Sequence, residues 1–306
     1  SEEVEATDTR RSAGEAPLPA PPVAAALDPD EEIYRAIVLG TRDYLVKNDF
    51  AEVVIGLSGG IDSTLVAVIA VDASGAENVH GVSMPSRYSS DHSRSDAALL
   101  AENLGIDYRT IAIEPAHAAA LEMLSPSFDG RDPDLTEENL QSRLRGLTLM
   151  ALSNKFGWIV LSTGNKSEVA VGYATLYGDT IGGYSVLKDV YKTRVYDLCR
   201  WRNTQGHVIP EGVITKSPSA ELRPDQRDDQ SLPPYDVLDP ILEGYIEHDR
   251  TVGELIAHGH DPETVRRVAR LVDGAEYKRR QSPIGVKVSA KAFGKDRRLP
   301  ITNGYR

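Results

Sequence analysis

The stretch VVIGLSGGIDSTLVAV, residues 53–68, narrows most sharply what this chain can fold into. Residues 53–57 are a strand-length apolar run rich in β-branched side chains. A Ser-Gly-Gly turn follows, and residues 61–73 read as a helix stopped by Gly75. A strand, a glycine turn and a helix start make an anion site, because turn N–H groups and the positive helix end face one point. Gly59 and Gly60 let the backbone approach a ligand closely. Ser58 and Ser63 add hydroxyl donors. Asp62 repels a phosphate unless a cation bridges the two, so it points to Mg²⁺. The loop lacks the lysine of GxxxxGK[ST] and the spacing of GxGxxG. It therefore need not serve γ-phosphoryl transfer or bind a dinucleotide pyrophosphate. A bare Gly-Gly turn is commonly structural, but two serines and an aspartate around it favour a ligand.

The rest of the chain supplies a frame for that loop. Residues 1–27 are rich in Pro, Ala and acids without periodicity, and read as a disordered linker or arm. Order is expected from Asp28, a helix N-cap followed by Pro29 and three acids in the first turn. Further strands are expected over 78–84, 108–113 and 158–162, with helices over 89–105, 115–124 and 135–157 between them. This alternation predicts a mostly parallel sheet covered on both faces. Beyond residue 165 it fades into a glycine-rich stretch, then a helix near residues 190–203. Residues 215–239, dense in charge and proline, read as a mobile loop. Helical segments are expected over 238–248 and 261–273, ahead of a basic tail from Tyr277.

Composition excludes more than it selects. The chain has 306 residues with a net charge of −12, which argues against a nucleic-acid or membrane-surface binder. No apolar run approaches the roughly 18 residues of a membrane span. A single cysteine, Cys199, rules out an internal disulfide and suggests a reducing, cytoplasmic setting; it reads as a buried apolar residue rather than a nucleophile. The seven histidines show no metal-binding spacing. Trp158 reads as core.

The SGGxDS loop after a strand resembles the pyrophosphate loop of the N-type ATP pyrophosphatases, which cleave ATP between the α- and β-phosphates and adenylate a substrate. Together, ENLQSRLRG, STGNKSEVAVGYATLYGD, KSPSAELRPDQRDDQSLPPYDVLD and EYKRRQSPIGVKVSAKAFGKDRRLPITN resemble the synthetase domain of bacterial glutamine-dependent NAD synthetase over about residues 28–306. The resemblance implies a Rossmann-like, doubly wound, adenine nucleotide alpha-hydrolase-like α/β fold with a helical C-terminal part. It implies amidation of deamido-NAD by way of an adenylated carboxylate, with ATP as cosubstrate. By the same resemblance, Gly56, Leu57, Ser58, Gly59, Gly60, Ile61, Asp62, Ser63, Thr163, Lys192 and Ser219 match ATP contacts. Asp62, Lys192 and Ser219 are the expected catalytic residues, and Asp62 with Glu168 the Mg²⁺ ligands. Asn139, Arg143, Glu168, Asp179 and Lys278 match deamido-NAD contacts, with the arginine reaching the partner subunit's site in relatives. Residues 83–86 are expected to flank the adenine. A homodimer or higher homo-oligomer follows from the same likeness.

Two departures stand out. Ammonia-dependent members carry a lysine in T-K-[YF]-G-D, where this chain has Leu176; Lys188 is a candidate to compensate. Glutamine-dependent members carry an N-terminal glutaminase domain with a Glu-Lys-Cys triad, which this sequence does not show. The expectation is a chain that uses free ammonia, with a glutaminase domain or partner as a possible supplier. The residues alone leave two other readings open: a different amidating or thiolating enzyme with the same loop, or a non-catalytic nucleotide-binding module that docks through its basic tail. A single cysteine disfavours thiolation. Intact Asp62, Glu168 and Lys192 disfavour a dead enzyme.

Overall fold

A computed structural model describes residues 25–224 and 226–302. The arm expected over 1–27 lies outside this range, residues 25–27 excepted. Helix α1 (Pro29–Lys47) starts as expected, with Asp28 accepting from the Asp30 amide. Then come β1 (Val53–Gly56), α2 (Ile61–Ser74), β2 (Val79–Ser83), α3 (Asp91–Leu104) and β3 (Asp107–Thr110). Two helices, α4 (Glu114–Phe128) and α5 (Leu135–Phe156), lead to β4 (Ile159–Ser162). Short elements follow: α6 (Lys166–Val171) and β5 (Tyr184–Ser185). The remainder is helical: α7 (Lys192–Thr204), α8 (Glu211–Thr215), α9 (Tyr235–Ile246), α10 (Val252–Ala257), α11 (Pro262–Gly274) and α12 (Glu276–Arg279).

The five strands are all parallel, in the order β3-β2-β1-β4-β5. Strand period explains the two cores above and below them. Val53 and Ile55 of β1, with Ile159 and Leu161 of β4, join the core under α2, whose face is apolar almost all round. Val54, Val82 and Val160 point the other way, against Leu149 of α5 and Trp158. Trp158 is thus core, as expected, stacked on His80 at 3.6 Å between ring centroids. A third core joins α6, α9, α10 and α11 through Val171, Leu238, Leu242, Leu255 and Val268. Cys199 is fully buried in the α2 core, and burial pushes its thiol up.

Several expectations need adjusting. The third strand ends at Thr110, although the Ile111 and Ile113 amides keep bonding to Ser83 and Pro85 carbonyls. Helix α4 extends to Phe128 through Pro126, and α9 begins at Tyr235 and runs through Pro240. The 215–239 loop is shorter than expected, since α9 claims its last residues and Asp228–Gln230 form a 3₁₀ turn. Helix α6 and strand β5 lie in the glycine-rich stretch that reads as loop-rich, and α8, α10 and α12 had no expectation. The basic tail folds back on the chain: Lys287 pairs with Asp296 at 2.7 Å, and Lys291 and Arg297 pair with Asp249. Three of its cations are thereby paired with acids.

Candidate active site

Winding reverses at β1, which lies between β2 and β4, so a crevice opens beyond the carboxyl ends of these strands. The 58–60 turn sits there. Gly59 has φ +75°, and a Cβ on it would lie 2.2 Å from the Ser93 carbonyl oxygen, so only glycine fits. Ser63 Oγ donates to the Gly60 carbonyl at 3.0 Å. Ser58 Oγ therefore donates to Ser63 Oγ, also at 3.0 Å, and accepts from the Gly60 amide at 3.1 Å. The two serines pre-shape the turn. Gly60 caps α2 without a side chain, which leaves the first helix amides for a ligand.

Three helix starts converge on this turn. Asp62 lies in the first turn of α2, Glu168 in that of α6, and Lys192 opens α7. The Lys192 ammonium contacts Asp62 Oδ2 and lies 3.7 Å from Glu168 Oε1. Asn165 ties the carboxylates together. It donates to Asp62 Oδ1 at 2.9 Å, accepts from the Glu168 amide at 3.0 Å, and completes a capping box with Glu168. Burial and the neighbouring Asp62 charge push the Glu168 carboxyl up to about 8. Burial alone would lower Lys192, but Asp62 and Glu168 outweigh it and hold the ammonium above its ordinary range. Tyr235 stacks beneath that ammonium, 5.4 Å from ring centroid to Nζ.

These groups line a cavity of about 290 Å³. Every residue from Gly56 to Ser63 lines it, with Thr163, Glu168, Asp179, Lys192 and Ser219. Ser83, Met84 and Pro85 form its wall beyond β2, where adenine was expected. Thr163 is not a helix cap; Asn165 holds that position. Ser219 donates to the Gln226 carbonyl at 2.5 Å and accepts from the Glu221 amide, folding the 216–224 loop over the mouth. Asp179 accepts from the Thr175 amide at 2.6 Å, and burial raises its carboxyl.

The other three expected dinucleotide residues do not line this cavity. Asn139, Arg143 and Lys278 surround the 172–179 turn instead. Asn139 Oδ1 accepts from Thr175 Oγ1 at 2.8 Å, Arg143 Nε donates to the Leu176 carbonyl at 3.2 Å, and Lys278 Nζ donates to the Gly172 and Ala174 carbonyls. They brace the turn that carries Asp179. Lys188, the candidate to compensate for Leu176, does not line the cavity: its amine bonds to Ser282 and the Pro283 carbonyl, and burial pushes it down to about 8.

Sequence reasoning passed over Asn165, Arg145, Lys216, Glu221 and Asp228, all but the first of which line the cavity. The N-x-x-E signal of a capping box at residues 165–168 was there to find Asn165. Arg145 turns inward, bonding the Met84 carbonyl at 3.0 Å, whereas Arg143 is exposed. Glu221 accepts from Ser90 and Ser93 hydroxyls and from Lys216, which latches the loop to the start of α3.

The donor set suits Mg²⁺. Asp62 and Glu168 already hold a cationic group between them. Mg²⁺ is commonly bound by one or two carboxylates, with water and phosphate oxygens completing its shell. No described helix is long and apolar enough to cross a membrane.

The family model of NAD synthase matches residues 33–282. Glutamine-dependent NAD(+) synthetase of Thermotoga maritima is 57% identical over 279 residues, which are 90% of this chain and 48% of that protein. The chain thus spans about half the length of the curated relatives it matches. The structure of glutamine-dependent NAD+ synthetase from Acinetobacter baumannii in complex with ADP superposes with a TM-score of 0.63 at 50% identity, covering 93% of this chain and 52% of that one. NH3-dependent NAD synthetase from Campylobacter jejuni superposes with a TM-score of 0.67 at 25% identity, covering 82% of this chain and 96% of that one.

Proposed function

The chain belongs to the NAD synthase family, and from that membership we propose that it amidates deamido-NAD to NAD, with ATP as the activating cosubstrate and ammonia as nitrogen donor. The observation that carries the reading is the convergence of Asp62, Glu168 and Lys192 beside the serine-braced 58–60 turn. A carboxylate is a poor electrophile, so it must be activated before an amine can attack. The nicotinate carboxylate oxygen bonds to the α-phosphorus of ATP, and the bond to the β-phosphate oxygen breaks. Pyrophosphate leaves. Ammonia then attacks the acyl carbon, loses a proton, and AMP departs with the former carboxylate oxygen.

Each group has a task in that sequence. The N–H groups of the 58–60 turn and the start of α2, with Ser58 and Ser63, grip the leaving pyrophosphate. Lys192, fixed in its charged form, neutralises negative charge that grows on the phosphates. Asp62 and Glu168 would hold Mg²⁺, which when bound screens the triphosphate and eases pyrophosphate departure. Residues 83–85 wall the adenine end. The turn at 172–179, with Asp179 inside and Asn139, Arg143 and Lys278 bracing it, faces the dinucleotide. The Campylobacter jejuni protein is named for ammonia dependence, whereas the relatives of higher identity are named for glutamine dependence, so the donor is the point the experiment must decide.

Product analysis tests this directly. The chain is mixed with ATP, Mg²⁺, deamido-NAD and ammonium, then with glutamine in place of ammonium. NAD, AMP and pyrophosphate with ammonium alone are expected. Glutamate released from glutamine would overturn the donor assignment. AMP and pyrophosphate without NAD would move the acceptor to another carboxylate or carbonyl, and ATP bound without turnover would leave a nucleotide-binding module.

A further inference from the structure

Lys192 is the first residue of α7, yet its preceding residue, Tyr191, gives that helix no side-chain cap. Two side chains from other helices cap it instead. The Lys192 amide donates to Ser167 Oγ of α6 at 2.9 Å, and the Thr193 amide donates to Asp239 Oδ2 of α9 at 2.8 Å. Ser167 in turn donates its hydroxyl proton to Asp239 Oδ1 at 2.5 Å. Both carboxylate oxygens are thereby engaged. Ser167 is 0% and Asp239 4% exposed, and neither lines the cavity.

This arrangement is costly unless it serves a purpose. A buried carboxylate loses hydration, and burial does raise the Asp239 carboxyl. Two charge-assisted donors and the positive end of α7 offset that loss. The gain is geometric. Ser167 immediately precedes Glu168, and its hydroxyl bonds the amide of Lys192. One carboxylate on α9 therefore locks the starts of α6 and α7 together. Those are the two helix starts whose first-turn side chains, Glu168 and Lys192, meet over Asp62.

We propose that Asp239, acting through Ser167, is a positioning residue for the adenylation step, setting the Lys192 ammonium against Asp62 and Glu168. This rests on the amidation reading above. Neither residue touches substrate. Their effect is on the place of a charge that must be right when pyrophosphate leaves, so it falls on turnover rather than on substrate affinity.

The test uses two variants, Asp239→Asn and Ser167→Ala, in the chain as it stands. Asp239→Asn keeps the side-chain volume, but the amide cannot accept from both Ser167 and Thr193. Ser167→Ala removes the bridge and leaves Asp239 on Thr193, so it guards against misfolding of the first variant. Tyr245→Phe is the control, since it removes a bond from the same helix α9 to Asp273 of α11, outside the Ser167–Asp239 link and the cavity lining. Two readouts are taken: kcat and KM for ATP in NAD formation, and the rate at which an amine-reactive reagent labels Lys192, mapped by mass spectrometry. In both variants kcat is expected to fall about 10–100-fold with KM for ATP within about threefold, as when an outer-shell partner is lost. Lys192 labelling is expected to rise several-fold in both, and the control to match the parent in kcat and labelling. Unchanged kcat in the folded variants, or a KM rise with kcat intact, overturns the proposal. If the parent makes no NAD, the amidation reading fails on its own, and unchanged labelling would then still overturn the positioning of Lys192.

Discussion

At the scale of single residues, charge balance around Lys192 governs the site. Its ammonium contacts Asp62 and lies beside Glu168, so removing it leaves the half-buried Asp62 carboxylate without its cation, next to a second carboxyl group. Lys192→Met is expected to lower kcat at least about 100-fold, the usual effect of losing a group that stabilises developing charge. A turnover within threefold of the parent would remove Lys192 from the chemistry. Asp62→Asn should weaken Mg²⁺-dependent turnover with the fold intact by circular dichroism, and unchanged turnover at saturating Mg²⁺ would count against a metal role. Glu168 makes a separate, thermodynamic prediction. Its carboxyl sits near 8 in the folded chain against 4.5 ordinarily. Between those values the folded state holds a proton that the unfolded state has released. The stability this confers is complete below about pH 4.5 and disappears as pH rises through about 8. Thermal unfolding of the protein without metal or nucleotide, measured from pH 5 to 8.5, should therefore show a midpoint falling with pH. Asp179, Asp228 and Asp239 are also raised, so the contribution of Glu168 is the difference from Glu168→Gln, whose midpoint should fall less steeply. Parallel curves for the two proteins would refute it.

At the scale of elements, the β1–turn–α2 unit holds the tightest steric constraint. Gly59→Ala combines a left-handed φ with a Cβ driven into the Ser93 backbone of α3. It should cost on the order of 2–4 kcal/mol, from strain and overpacking together. Gly105→Ala is the comparison: its φ is +66° but nothing lies within 4 Å, so only about 1–2 kcal/mol is expected from the left-handed conformation. Equal losses in urea unfolding would show that the contact with α3 matters little. The same unit explains what could be read from sequence. The continuous apolar runs of β1 and β4, buried on both faces, the glycine stops at Gly75, Gly105 and Gly157, and the Asp28 cap are local signals, and each element they mark is present. Strand β5 has no local signal. It is two residues long after Gly182 and Gly183, and its Ser185 amide bonds to Ile284, a hundred residues on in the tail. Site residues divide along the same line. Those in the Gly56–Ser63 loop follow from local chemistry. The facing of α5 does not, because apolar residues surround it: Arg143 turns out to solvent while Arg145, two positions on, enters the cavity. Only packing against β1 and β4 decides between them.

At the scale of the whole molecule, several large apolar side chains on α4 and α5 are exposed among the described residues. On α5, Leu135 and Leu147 are 68% and 65% exposed, and Met123 of α4 is 72% exposed. Arg143 and Met150 lie on the same helix within a turn of Leu147. Arg143, Leu147 and Met150 share one side of α5, and exposed apolar side chains on one helix face are a candidate interaction surface. The occupant argued for is a second copy of this chain. Arg143 is solvent-exposed on α5, so a neighbour docked here would meet it. Asn139 and Arg143, both on α5, also brace the 172–179 turn beside the cavity. Docking at α5 would therefore press on the turn that carries Asp179, joining assembly to substrate binding. Leu147→Glu places a charge in this face without touching the ATP cavity. Light scattering should find the parent as a dimer and the variant shifted to monomer. The variant should bind ATP normally but form NAD with KM for deamido-NAD raised about tenfold or more, the loss expected when one well-placed contact is removed. A parent that is monomeric and fully active would overturn the shared site, as would a monomeric variant with unchanged KM.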